Sequence, residues 1–173
     1  MMANQDDVWR DLFVTGLKNA HGVEQQALTL MDRQIDRAET FTEVADMLRM
    51  HRVETEEQIV RLETLLEGFD ESPSGLKDAA LKMSGNLAAL GHAFAEDEVL
   101  KNAFANFAFE NFEIASYRSL ITLADLGSYS VALDPLKQSL QEEERMAATV
   151  EQSLPRLTEK FLALKQAGTP ASR

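Results

Sequence analysis

The chain has 173 residues, 45% of them apolar and 27% charged, with 8 Gly and 4 Pro, which excludes a fibrous or disordered protein and fits one globular domain. Its 29 acidic and 17 basic residues give a formal net charge of -12, a field that repels phosphate backbones and anionic lipid, so neither nucleic acid nor a membrane surface is an expected partner. The absence of cysteine excludes disulfides, thiolate zinc sites, iron–sulfur clusters and cysteine nucleophiles, and leaves oxygen and imidazole as the available metal ligands.

The acidic start at Met1 to Asp7 lacks the basic-then-apolar pattern of a secretory signal, and no later run approaches about 20 apolar residues, so the expected location is the cytoplasm. Sparse β-branched residues, abundant Ala, Leu, Glu, Gln and Met, and apolar positions recurring at three and four predict an all-α protein. The first helix is predicted from about Asp6 or Asp7 to near Ala38, with an inner stripe at Leu17, His21, Glu24, Leu28, Met31 and Ile35. After a break at Glu39 to Phe41, a second helix runs to Gly68, read as a left-handed terminator, with a stripe at Val44, Met47, His51, Glu54, Gln58, Leu62 and Leu65. A loop from Phe69 to Gly75 and a modest helix from Leu76 to Leu90 read as a crossover, because apolar residues persist through it.

The third long helix spans about Asp97 to Leu126 and stops at Gly127, with a stripe at Leu100, Ala103, Phe107, Glu110, Ile114, Tyr117 and Ile121. A fourth begins between Ser128 and Asp134 and carries Leu136, Leu140, Glu143, Ala147, Val150 and Leu154. Pro155 is expected to bend the path into a last amphipathic piece, Arg156 to Lys165. Two helical hairpins joined by one long connection make a ferritin-like four-helix bundle, here a single domain with its core at about residues 6–157.

Each stripe carries one glutamate near its middle: Glu24, Glu54, Glu110 and Glu143. A lone ionised carboxylate in an apolar interior is heavily penalised, so inward glutamates are expected to be protonated, paired or bound to a cation. Counting the rise from each acid to its hairpin turn puts Glu24 level with Glu54, and Glu110 level with Glu143. Glu113 matches Glu143 in depth slightly better than Glu110 does but lies about 60° off the stripe, so both can contribute. This pattern predicts a carboxylate-bridged site for two ions, with iron or manganese favoured by hard oxygen ligands and one or two imidazoles. For a second ligand the second helix offers His51, one turn before Glu54; Gln58 is a weaker donor and Glu57 an alternative. The fourth helix offers less, since Ala147 stands one turn after Glu143 and Glu144 points partly away.

The residues from Glu110 through Asn111-Phe112-Glu113-Ile114-Ala115-Ser116-Tyr117 resemble the Glu-His-Tyr-Glu-Ile-Ala-Ser-Tyr signature of the YciE/YciF family of bacterial ferritin-like stress proteins. Glu24-Gln25-Gln26, His51 to Thr55 and Leu140 to Glu144 agree with the same family. The resemblance implies a ferritin-like bundle, a homodimer and a link to stress responses. It departs where the family usually has His (Asn111), an acidic residue (Ala147) and Glu (Val53), each departure removing a possible ligand.

Other features have simpler readings. His21 is expected to donate to a carboxylate beside the site, His92 to lie on the surface, and Tyr117 to be a buried tyrosine with its hydroxyl satisfied. Phe94, Phe104, Phe107, Phe109 and Phe112 cannot share one narrow face, so part of that surface is expected to meet another subunit. Of Glu142, Glu143 and Glu144, one needs to point inward. No Gly-x-Ser-x-Gly turn or glycine-rich phosphate loop is present, and no catalytic residues are assigned. Two functions follow: a metal protein handling oxygen or peroxide, or a non-catalytic dimeric bundle whose site has decayed.

Overall fold

Long amphipathic segments bounded by short polar turns fold here into four helices, in a computed structural model that describes residues 5–71 and 97–169. They are α1 (Gln5–Arg37), α2 (Thr42–Glu67), α3 (Glu98–Leu126) and α4 (Ser130–Gln166). No strand occurs among the described residues. α1 pairs with α2 and α3 with α4 as antiparallel hairpins, and the hairpins meet through α1 against α3 and α2 against α4. The crossover helix expected at Leu76 to Leu90, with His92 and Phe94, lies outside the described residues.

The helix stops differ in detail from expectation. Gly68 is right-handed (φ -62), and the left-handed position falls two residues later at Asp70 (φ 61). At the second hairpin it falls on Ser128 (φ 59), and at the end of α4 on Gly168 (φ 69). Each is followed by an N–H that reaches back five residues: Glu71 to Leu66, Tyr129 to Ala124 and Thr169 to Leu164. This satisfies carbonyls that a helix end otherwise leaves bare. Gly127 is required for a different reason, since a Cβ there would sit 2.5 Å from the Tyr129 ring.

Pro155 does not split the fourth helix. Arg156 to Lys165 continues α4, which also contains Pro135. Packing explains why the missing N–H bond does not end it: Leu154, Leu157, Phe161 and Leu164 on both sides of the proline pack around Phe41 and Ala103.

The interior is layered. One apolar cluster holds Phe13, Leu17, Leu62, Leu66, Leu120 and Leu136, closed by Tyr129, which stacks on Phe13 at 5.0 Å. A second holds Val23, Met31, Leu48, Phe109, Met146 and Val150. Between them along every helix lie buried polar side chains: Glu24 on α1, His51, Thr55 and Gln58 on α2, Glu110 and Glu113 on α3, and Ser139, Glu142 and Glu143 on α4. No described helix is long and apolar enough to cross a membrane.

Candidate metal centre

The 3.6-residue period puts positions 51, 55, 58 and 62 of α2 on one inward line, so the residue it sends to the centre is His51. His51 Nε2 lies 3.3 Å from Glu110 Oε2 and 3.6 Å from Glu143 Oε2. Ligand atoms of these three buried residues all fall within 4.8 Å of one another, a separation that can hold one ion. Glu24 and Glu113 are buried in the same layer. Tyr117, one turn beyond Glu113, donates its hydroxyl to Glu24 Oε1 at 2.5 Å.

Glu54 sits differently from the other predicted acids. It lies at the rim, its side chain 35% exposed, with Oε2 3.2 Å from His51 Nδ1 and Oε1 accepting from Arg145 at 2.9 Å. An inward glutamate therefore stands at the predicted position on α1, α3 and α4, while α2 sends an imidazole to the centre instead. Both Glu110 and Glu113 point inward, as the competing depth counts allowed.

Several oxygens in this layer have no hydrogen-bond partner: Glu24 Oε2, both oxygens of Glu113, Glu110 Oε2 and Glu143 Oε2. Buried acceptors of this kind are normally satisfied, and their convergence is what a cation would satisfy. Burial pushes Glu24 up to about 7, offset in part by the Tyr117 hydroxyl and the positive side of His51. Burial and the neighbouring Glu24 carboxylate push Glu113 well above the usual carboxylate range, and burial and Glu24 do the same to Glu143. Burial pulls His51 down, but its close approach to the Glu110 and Glu54 carboxylates overcomes this and holds its pKa well above the ordinary imidazole value.

A buried ion pair borders the layer. Arg61 forks onto Glu142 at 2.6 and 2.8 Å and donates to Ser139 at 2.9 Å. Gln58 donates to Glu142 at 3.1 Å and also to Glu143, tying the pair to the centre. So two of the three consecutive glutamates on α4 are inward, not one, because Arg61 neutralises the second. The sequence signal for this was a lone arginine one turn from Gln58 on the inner side of α2. Arg61→Ala is expected to cost about 3 kcal/mol in urea unfolding, since it leaves Glu142 buried without its cation, and Glu142→Leu added to Arg61→Met should restore most of that loss.

His21 pairs outside the cluster, its Nε2 3.1 Å from Glu63 Oε1. Two of the three departures from the family pattern lose their force: Val53 is exposed, and Asn111 is exposed with its amide on the Phe107 carbonyl at 2.7 Å. Side chains at 53 and 111 do not reach the layer. Ala147 is buried one turn from Glu143, and there a carboxylate is absent.

The profile of the family described as "Domain of unknown function (DUF892)" matches residues 8–163. The chain belongs to the DUF892 family. It is 31% identical over 144 residues to Protein YciF of Escherichia coli (strain K12), covering 78% of this chain and 82% of YciF. A solved protein from Xanthomonas campestris pv. campestris superposes with a TM-score of 0.76 at 26% identity, over 91% of this chain and 98% of that one. YcfI from Rhodopseudomonas palustris gives a TM-score of 0.66 at 22% identity, over 87% and 98% of the two chains. The YciE/YciF-like resemblance is therefore a family relationship, and the helical bundle is common to this DUF892 chain and these neighbours.

Proposed function

We propose that this DUF892 chain is a metal protein whose mid-bundle layer binds iron or manganese. The observation that carries the reading is the convergence of unpartnered buried oxygens on Glu24, Glu110, Glu113 and Glu143 around His51. The donor set fits: carboxylate oxygens and one imidazole suit a hard or borderline divalent ion far better than a soft one. His51, Glu110 and Glu143 would hold one ion, and the unpartnered oxygens of Glu24 and Glu113 in the same layer would serve a second. A bound iron or manganese would supply electron exchange with oxygen or peroxide. The protein's part is to keep the layer dry between two apolar clusters and to steady Glu24 through the Tyr117 hydroxyl. Protein purified without chelator from iron- or manganese-supplemented cells is expected to carry one to two equivalents of metal per chain, and Glu143→Ala to carry none. A metal-free parent would refute the reading.

The oligomer is part of the same proposal. Phe104 and Phe112 are 56% and 44% exposed, each four residues from Ala108. Between Lys101 and Arg118 the charged residues are Glu110 and Glu113, both buried. An uncharged strip on a strongly acidic protein is where a second copy meets least repulsion, and a twofold axis near Ala108 would set Phe104 of one copy against Phe112 of the other. Phe112→Asp is expected to convert a dimer to a monomer in light scattering; an unchanged mass would remove α3 as the interface.

A further inference from the structure

The centre is closed to water: the side chains of His51, Glu110 and Glu143 are 3%, 7% and 0% exposed. An ion reaching them must pass between two helices, and two of the edges differ sharply in chemistry. The groove between α1 and α3 has a volume of about 280 Å³ and is lined by neutral residues, among them Asn19, Val23, Phe112 and Ser116. It offers a cation no countercharge. On the α2–α4 edge, where Glu43 and Lys160 pair farther along, two ion pairs flank the polar layer.

These two pairs are unequal. Arg61, 15% exposed, forks onto the buried Glu142 in a two-pronged pair supported by Ser139, Gln58 and Gln138. Arg145 and Glu54 share one hydrogen bond, with side chains 60% and 35% exposed. Opening an exposed single-pronged pair costs far less than opening a buried fork, so the edge gives way at Glu54. Glu54 is also the carboxylate that touches both worlds. Its Oε1 faces the solvent-reached guanidinium of Arg145, and its Oε2 lies 3.2 Å from the imidazole of His51.

Resting on the metal reading above, we infer that Glu54 is the port through which a divalent cation reaches the buried carboxylates, with Arg145 as the resident cation that the incoming ion displaces. Arg145 neutralises Glu54 while the centre is empty and swings into solvent as the ion arrives. The ion then passes from Glu54 along the imidazole edge to Glu110 and Glu143, whose unpartnered oxygens wait there. Glu54 is on this account a carboxylate of passage, and its removal should change the rate of loading far more than the amount loaded.

The test is stopped-flow mixing of the full chain with Co2+, followed by growth of visible absorption, with equilibrium metal content measured in parallel. Glu54→Gln is expected to load about tenfold more slowly to the same final content, and Arg145→Ala several-fold faster. Added salt should slow the parent more than Glu54→Gln, because the charge that steers the ion is gone in the variant. Both variants loading at the parent rate would overturn the port while leaving the metal site intact. A lower final content in Glu54→Gln at an unchanged rate would make Glu54 a permanent ligand and also overturn it. A parent that takes up no Co2+ overturns the metal site, and the port with it.

Discussion

Adding Mn2+ at about a thousandfold excess over its Kd should raise the melting temperature of the chain by roughly 8–16 °C. A ligand that binds only the folded state at that excess contributes about 4 kcal/mol, and a domain of this size shifts by roughly 2–4 °C per kcal/mol. The site cannot exist in the unfolded chain, because its donors come from four helices far apart in sequence. Glu143→Ala and His51→Ala should each lose nearly the whole shift, since each removes a donor of the cluster that can hold an ion. Differential scanning calorimetry with chelator and with Mn2+ checks this. An identical melting temperature in both conditions would favour the non-catalytic bundle with a decayed site.

Without metal, stability should fall as the pH rises from about 5 to 8. Glu24 is raised from 4.5 to about 7 in the fold. A carboxyl group raised in this way contributes stability that is complete below its unfolded value and lost as the pH climbs through its folded value. At 1.36 kcal/mol per unit this loss is on the order of 3 kcal/mol from Glu24 alone. Glu113 and Glu143 are shifted the same way and add to it. His51, also raised, loses its contribution above the ordinary imidazole range, in the same direction. Glu54, which its bonds to His51 and Arg145 lower against a smaller effect of burial, works the opposite way, at the acid end.

Saturating Mn2+ should reverse the slope, because protons and the ion compete for the same oxygens. Glu113→Gln should stabilise the metal-free protein at pH 8 while weakening its hold on metal, since it removes a buried charge that only a cation offsets. Urea unfolding at pH 5, 6.5 and 8, with chelator and with Mn2+, decides the matter. Metal-free stability that rises with pH would contradict it.

The helices were legible because their apolar spacing is long and regular, and Glu24, Glu110 and Glu143 lie at the middle of stripes whose other members are wholly or partly buried. What spacing could not resolve was rotation by one position on α2. His51 and Glu54 are three residues apart, so both fit a drawn stripe; burial of Thr55 and Gln58 shows that the inward line passes through 51 and leaves 54 at the edge. Glu142 was obscure for a related reason. A glutamate pair reads as one inward and one outward residue unless a cation waits inside, and Arg61 belongs to a different helix, 81 positions away. The left-handed stops at Asp70 and Ser128 were hidden by the nearby glycines, which attract the assignment although their own backbone stays right-handed.

The placement of acids between two separate greasy slabs has one more consequence. Helical bundles ordinarily loosen from their tips, where turns fray and the middle holds. Here the mutually repelling acids sit at half height, and the tip beside Tyr129 is pinned by stacked rings. A guest ion would therefore act as a rivet at the waist of the molecule, fastening the four helices where their own side chains push apart.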